Sequence, residues 1–364
     1  MTLVKQTLKI AILHTRLSGY MVASWRALKR RTGAEFLIYA WPNQPDAPFD
    51  VSQFSDLGTI HNRNDFSTSE IEVSVRDFRP NAILTSGWAD RGYMKVCRKM
   101  RKTGVPVIAG SDNQWIASPR QIAAILTSRF HIRRWIDALW VAGERQATFA
   151  RALGYSGVRL WDGVYACDWA SFASADIEQA VAAARGSAHS FLFVGRYVDV
   201  KGIDTLAEAY RRYRATVPDP WPLVCAGAGP LGQVLRDAGA DDRGFVQPQG
   251  LPALMQGASA LVLPSRFEPW GVVVQEAAAG GVPLILSERV GAGVHLLRPG
   301  FNGYTFPAGS VEHLLQRLLD MHALSDEARA EMMRNSYMLS RQYSPERWAD
   351  VFCSGLRALE TTRN

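Results

Sequence analysis

Cysteine is scarce in this chain: four among 364 residues, Cys97, Cys167, Cys225 and Cys353. They lie far apart and form no CxxC pair, which argues against a zinc ribbon and a disulfide framework. A reducing, cytoplasmic setting is therefore expected. No apolar run reaches about 18 residues, so no membrane-spanning helix is expected. The opening residues, MTLVKQTLKIAILH, carry no signal-peptide cleavage pattern and lead directly into a strand. No DxD and no HExxH occur, and the seven histidines are scattered. No metal site and no metal cofactor are expected from such a set. The lack of a GxSxG elbow argues against a serine hydrolase, and the lack of GxxxxGKS or GxxxxGKT against a P-loop enzyme.

What the chain does have is length for two α/β domains and an apolar fraction of 47% to fill their cores. Short apolar runs alternate with amphipathic stretches, the pattern of parallel sheets covered by helices. In the first half, strands are predicted at 8–14, 35–40, 81–86, 105–110 and 138–143, with helices at 20–31 and 91–102. After a polar, Ala- and Ser-rich stretch at 166–189, the pattern restarts with strands at 190–195, 222–227, 244–248, 260–265 and 282–287. The reading gives three parts: a Rossmann-like domain over 1–170, a second over 171–343, and a terminal helix over 344–364 that packs back on the first domain. Two doubly wound domains imply a cleft between them. Ligands bind beyond the carboxyl ends of such strands, so His14–Tyr20, Gly110–Trp115, Gly195–Gly202 and Ser265–Gly271 are expected to line it.

Net charge is +7 and uneven: residues 1–170 hold 23 of the 41 Lys and Arg but only 14 of the 34 Asp and Glu. Such a half either faces an anionic partner, such as a lipid-linked acceptor or an anionic membrane inner surface, or serves solubility alone. No nucleic-acid partner is expected.

The segment 261–285, LVLPSRFEPWGVVVQEAAAGGVPLI, runs from a strand through a turn into a helix that starts near Gly271. Glu268 sits in the turn and Glu276 inside the helix. A helix N-terminus offers free amides to an anion, and flanking carboxylates can orient hydroxyls. Together they point to a phosphate-bearing sugar donor. The segment FVGRYVDVKGID (193–204) has the same strand–turn–helix form, with Arg196 and Lys201 flanking the turn. Two cations there can offset a diphosphate without a metal; alone they would read as ordinary exposed charge.

Gly227, Gly229 and Gly232 have GxGxxG spacing after a strand, which raises a dinucleotide-binding oxidoreductase as a rival. Its confirming acidic residue should end the next strand, and the predicted strand 244–248 ends in Gln247 and Pro248. These glycines are read instead as a tight turn near a nucleotide.

VGR and VKG (194–202), then GAGP, then LPSRFEPWG with QEAAAGGVP, then GFNGYTF (300–306) occur in that order. The constellation resembles the C-terminal half of family 4 glycosyltransferases of the GT-B fold and covers residues 190–345. WDGVYACDWASF (161–172) is similar to the segment leading into that family's interdomain linker. The first half resembles the family only in its order of strands and helices. The resemblance implies a nucleotide-sugar donor, UDP- or GDP-linked, a sugar, lipid-linked or other glycoconjugate acceptor, and transfer with retention. It implies that Arg196 and Lys201 bind the diphosphate and Glu276 the ribose. Glu268 and the backbone of Pro269, Trp270, Gly271 and Val272 would grip the sugar. Val246 and Gln247 would lie against the base, and Gly19 would let the first loop approach the phosphates.

Two departures stand out. Where many members carry a histidine after an N-terminal strand, this chain has Asp112 in VIAGSDNQW. Asp112 can accept a proton, bind a hydroxyl or cap the following turn. Where the family often has Glu before an apolar pair, this chain has His295, which bears on donor-sugar preference. The missing histidine keeps a non-catalytic nucleotide-sugar-binding subunit as a second alternative. His14, Trp88 and Trp115 end or follow strands; each is either a contact for an acceptor or part of the packing.

Overall fold

The alternation of apolar runs and amphipathic stretches resolves into two separate, wholly parallel sheets. The structure, a computed structural model, describes residues 7–42 and 51–362; the sequence reading of the first six residues lies outside them. The chain divides into one unit of Met1–Ala166 with Pro345–Asn364, and a second of Cys167–Ser344.

The first unit holds β1 (Lys9–His14), α1 (Gly19–Thr32), β2 (Glu35–Ala40), β3 (Ile60–Asn62), α2 (Thr68–Phe78), β4 (Ala82–Thr85), α3 (Arg91–Lys102) and β5 (Val107–Ser111). It continues through α4 (Pro119–Thr127), α5 (Ile132–Trp135), β6 (Ala138–Val141), α6 (Glu144–Ala152) and β7 (Leu160–Asp162). The sheet order is β3-β2-β1-β4-β5-β6-β7. Strand side chains alternate between two cores. Ile10 and Ile12 face a cluster with Trp25, Trp140 and Phe352. Ala11 and Leu13 face another with Tyr93, Val96 and Tyr155. A strand buried on both sides is apolar throughout, which is why these runs were legible. Ser67 and Glu70 form a capping box that starts α2, with bonds of 2.7 and 3.2 Å.

The second unit comprises α7 (Trp169–Phe172), α8 (Ile177–Ala184), β8 (Phe191–Val194), α9 (Ile203–Thr216), β9 (Leu223–Ala226), α10 (Gly232–Asp237), β10 (Asp241–Asp242) and α11 (Leu251–Gln256). It ends with β11 (Ala260–Leu263), α12 (Val272–Ala279), β12 (Leu284–Ser287), α13 (Gly293–Leu296), β13 (Gly303–Phe306), α14 (Val311–His322) and α15 (Asp326–Ser340). Its order is β10-β9-β8-β11-β12-β13, the doubly wound 3-2-1-4-5-6 arrangement. The last helix, α16 (Pro345–Thr361), belongs to the first unit. Its Trp348 stacks on Trp140 with ring centres 4.5 Å apart, and its Gly355 leaves room for the Trp161 ring, which a Cβ would meet at 2.3 Å.

The strand predicted at 244–248 is a correction: the strand is Asp241–Asp242, and 243–247 is irregular. Two aspartates carry no apolar signal, whereas Phe245 and Val246 do. The dinucleotide rival must then be judged differently, because this strand does end in an acid. Asp242 is already committed: it accepts from the Tyr197 hydroxyl at 2.8 Å and the Gly244 amide at 3.0 Å, and Arg236 donates to it at 2.6 Å. Moreover the glycines follow the second strand of the sheet, not the first. A Cβ on Gly227 would fall 1.9 Å from the Gly195 carbonyl. These glycines let the loops after β8 and β9 pass each other.

Candidate functional site

In each sheet the order reverses beside its first strand, and loops leaving on either side of that point splay apart to leave a crevice. In the second unit these are the loops after β8 and β11, which hold most of the residues singled out in the sequence. Arg266 laces them together. Its guanidinium donates to the Asp199 carbonyl at 2.8 Å and to the Asp204 carboxylate at 2.6 Å, and its backbone amide donates to the Val200 carbonyl at 2.9 Å. Sequence reading passed over Arg266, because its partners lie more than 60 residues upstream.

The lacing brings Lys201 onto Glu268. The ammonium donates to Oε2 of the carboxylate, which also accepts from Ser265 Oγ at 3.4 Å. The two side chains are only 16% and 11% exposed. Lys201 and Glu268, assigned separately to diphosphate and sugar, are thus one ion pair. An ammonium has three donors, so two remain for an incoming anion. Arg196 is exposed on the same loop.

Gly271 precedes α12 with φ of 94°, a left-handed conformation that favours glycine. It turns the chain so that α12 begins directly after the Glu268 turn. The Val272 and Val273 amides are first-turn donors without helical acceptors. Along α12, Val272, Val273 and Glu276 are half-buried while Val274, Gln275, Ala277 and Ala278 are buried. Residues three and four apart share a face, so Glu276 stands in line with the free amides. Burial and then the Asp168 carboxylate push its carboxyl up to about 7. Asp168, just before α7, is a neighbour that the sequence reading did not single out. Cys167 beside it has its thiol raised by burial and then by Glu276, so it stays protonated.

For Trp270 the sequence assigns only the backbone to the sugar. Its side chain is buried, and its ring lies 5.6 Å from His295 and 5.7 Å from Tyr343. Its carbonyl is spent on the Ala292 amide at 2.9 Å. His295, the second departure, is therefore a neighbour of the site turn through Trp270. Val246 is half-buried and Gln247 exposed beyond the carboxyl end of β10.

The first unit carries its own pocket, about 280 Å³, at the carboxyl ends of β1, β4 and β5, lined by His14, Arg16, Ser18, Asp112 and Tyr165 among others. Thr15 and Ser86 join the loops at its switch point, with the Thr15 amide donating to Ser86 Oγ at 2.8 Å. Gly19 opens α1 at its rim. His14 Nδ1 lies 2.5 Å from the Arg16 carbonyl, and burial lowers the ring pKa to about 4. A neutral ring donating from Nδ1 leaves Nε2 as an acceptor. Asp112 accepts from the Tyr165 hydroxyl at 3.2 Å. The turn after it is bonded by Ser111, whose Oγ accepts from the Asn113 amide at 3.4 Å. Burial, then Tyr20 and Asp112, hold the Tyr165 hydroxyl un-ionised. Trp88 packs against the core, and Trp115 stacks on Phe149 at 6.0 Å. A wider hollow of about 860 Å³ lies at the opposite ends of the strands, by Asn81 and Pro106, away from these groups. No group of three or more His, Cys, Asp or Glu that could hold a metal is found among the described residues. None of the described helices is long and apolar enough to cross a membrane.

Residues 175–338 match the family described as Glycosyl transferases group 1. Glycogen synthase of Mycobacterium tuberculosis is 38% identical over 110 residues, 28% of this chain and 26% of that protein. The chain spans about a quarter of the length of the first curated relatives it matches. Sucrose-phosphate synthase from Thermosynechococcus elongatus superposes with a TM-score of 0.72 at 17% identity, over 98% of this chain and 100% of that one. Anabaena HepE, solved with UDP and glucose, gives 0.71 at 15% identity, over 98% and 100%. At such identities the likeness is one of fold, the two-sheet GT-B architecture.

Proposed function

We propose that this chain is a glycosyltransferase that moves a sugar from a UDP- or GDP-sugar to an acceptor hydroxyl with retention of configuration. The pathway proposed is polysaccharide, lipopolysaccharide or other glycoconjugate synthesis. The observation that carries the reading is the buried Lys201–Glu268 pair at the start of α12, with Glu276 in line with that helix's free amides. The bond from the anomeric carbon to the diphosphate breaks, and the acceptor oxygen bonds to the same face. The acceptor proton passes to the departing phosphate. Lys201, Arg196 and the α12 amides stabilise the charge that grows there. Oriented donors of this kind act without reorganising during the reaction, which is why they favour the transition state over bound substrate.

A thermal-shift screen against UDP, GDP, ADP and dTDP tests the donor reading. A ligand at a hundredfold excess over its Kd stabilises the native state by about 2.7 kcal/mol. UDP is the first to try, given the ligand bound in HepE. No shift with any of the four would overturn the reading. Release of nucleotide from the matching sugar donor then separates an enzyme from a binding subunit.

Turnover is expected to survive EDTA, because Arg196 and Lys201 supply the positive charge. Abolition by EDTA with recovery on adding Mg²⁺ or Mn²⁺ would contradict this.

Asp112 is assigned to the acceptor side. It lines the first unit's pocket and accepts from the Tyr165 hydroxyl there. Asp112→Asn is expected to lower kcat ten- to a hundredfold, the worth of an acceptor hydroxyl's hydrogen bond to a charged group, about 1.5–3 kcal/mol, with nucleotide affinity unchanged. Turnover close to that of the unaltered protein would return Asp112 to a capping role.

A further inference from the structure

Helix α4 is apolar in sequence yet has no buried residue. Ala124 and Ile125 rest on the core along one edge, and the buried Ser128 fixes its end by donating to the Leu153 carbonyl at 2.8 Å. The opposite edge points outward. Ile122 and Leu126, four apart and so on one face, are 46% and 72% exposed; Ile116 and Phe130, at either end, are both 59% exposed. The preceding turn is rigid: Gln121 accepts from the Ile116 amide at 2.9 Å and donates to the Gln114 carbonyl at 2.6 Å. Large apolar side chains rarely cluster in water without a partner.

The charge around this ridge has one sign. Between Asp112 and Asp137 the sequence contains four arginines, Arg120, Arg129, Arg133 and Arg134, and no Asp or Glu. All four are exposed, and among the described residues no carboxylate pairs with them. Helix α3, which packs against α5, adds exposed Lys95, Arg98 and Lys102. A ridge of Ile, Leu and Phe whose own segment, between Asp112 and Asp137, carries only cations matches the interface of an anionic bilayer, where acyl chains take the apolar side chains and headgroups take the arginines.

We infer that the α4 ridge docks this protein on anionic lipid bilayers. The inference stands apart from the transfer reaction, since it uses no donor-site residue. It also accounts for the positive surplus of the first half by something other than solubility.

Cosedimentation with vesicles tests it, using phosphatidylcholine alone or mixed with phosphatidylglycerol. The protein should pellet with the mixed vesicles only, and less so as salt rises, because exposed charges are screened over about 8 Å at physiological ionic strength. Ile122→Glu with Leu126→Glu should reduce vesicle affinity roughly tenfold or more, since apolar insertion and headgroup attraction both suffer. An unchanged thermal midpoint shows that the variant still folds. Equal, negligible pelleting with both vesicle types overturns the inference. So does vesicle binding by the double variant at the level of the unaltered protein. Sedimentation as a dimer, abolished by the same substitutions and with no lipid binding, overturns it in favour of an interface between copies of this chain.

Discussion

Lys201→Ala is expected to lower kcat by about 10²–10³, the cost of losing one preorganised donor to a developing anion. The same change should also destabilise the fold, which sequence reading alone did not foresee. Glu268 is 9% exposed and its carboxylate is held by Lys201. Removing one partner of a buried pair leaves a charge without compensation, at a cost on the order of 3–5 kcal/mol. The two effects separate in the double variant Lys201→Ala with Glu268→Gln. A neutral amide needs no cation, so the thermal midpoint should recover toward that of the unaltered protein. The rate should not recover, because the diphosphate still lacks its ammonium. Nucleotide release and thermal melting, run on both variants, decide the matter. Recovery of kcat together with stability would reduce Lys201 to a counter-ion for Glu268 and remove it from the chemistry.

The strands around each switch point were legible because a parallel strand buried on both faces must be apolar end to end, as Lys9–His14 and Ala260–Leu263 nearly are. Ile60–Asn62 and Leu160–Asp162 were missed. Each is three residues long at a sheet edge, too short to show a period. Asp241–Asp242 was misplaced because its pairing is set by the neighbouring β9 backbone, which side-chain hydropathy does not report. Of the site, the carboxylate spacing in Glu268–Glu276 was legible, since a strand, a turn and a helix fix where both fall. That Lys201 answers Glu268 was not, because the contact depends on two loops held together by Arg266. The α4 ridge was illegible for the opposite reason. Its apolar spacing is that of a core helix, and only the fold decides which edge meets the core.

Glu276→Gln is expected to weaken nucleotide binding ten- to a hundredfold at pH 8, since a hydrogen bond to a charged group is worth about 1.5–3 kcal/mol. The loss should shrink as pH falls. In the free protein the Glu276 carboxyl is raised from 4.5 to about 7, by burial first and by Asp168 second. An unfolded chain loses this proton near its ordinary value. Between that value and about 7 the folded state therefore holds more protons, so the Glu276 contribution to stability declines as pH rises through this window and levels off above it. Ligand binding should run the other way. Ribose hydroxyls donate best to the ionised carboxylate, so nucleotide affinity should rise with pH through about 7, with protons released on binding. Titration calorimetry in two buffers of different ionisation enthalpy reads that release directly. Glu276→Gln should abolish both the release and the slope, and Asp168→Asn, by removing the neighbouring charge, should move the inflection to lower pH. Nucleotide affinity that is equal in Glu276→Gln and the unaltered protein across pH 6 to 8 would take the ribose contact away from Glu276. A slope that persists unchanged in Asp168→Asn would leave burial as the sole cause of the raised carboxyl.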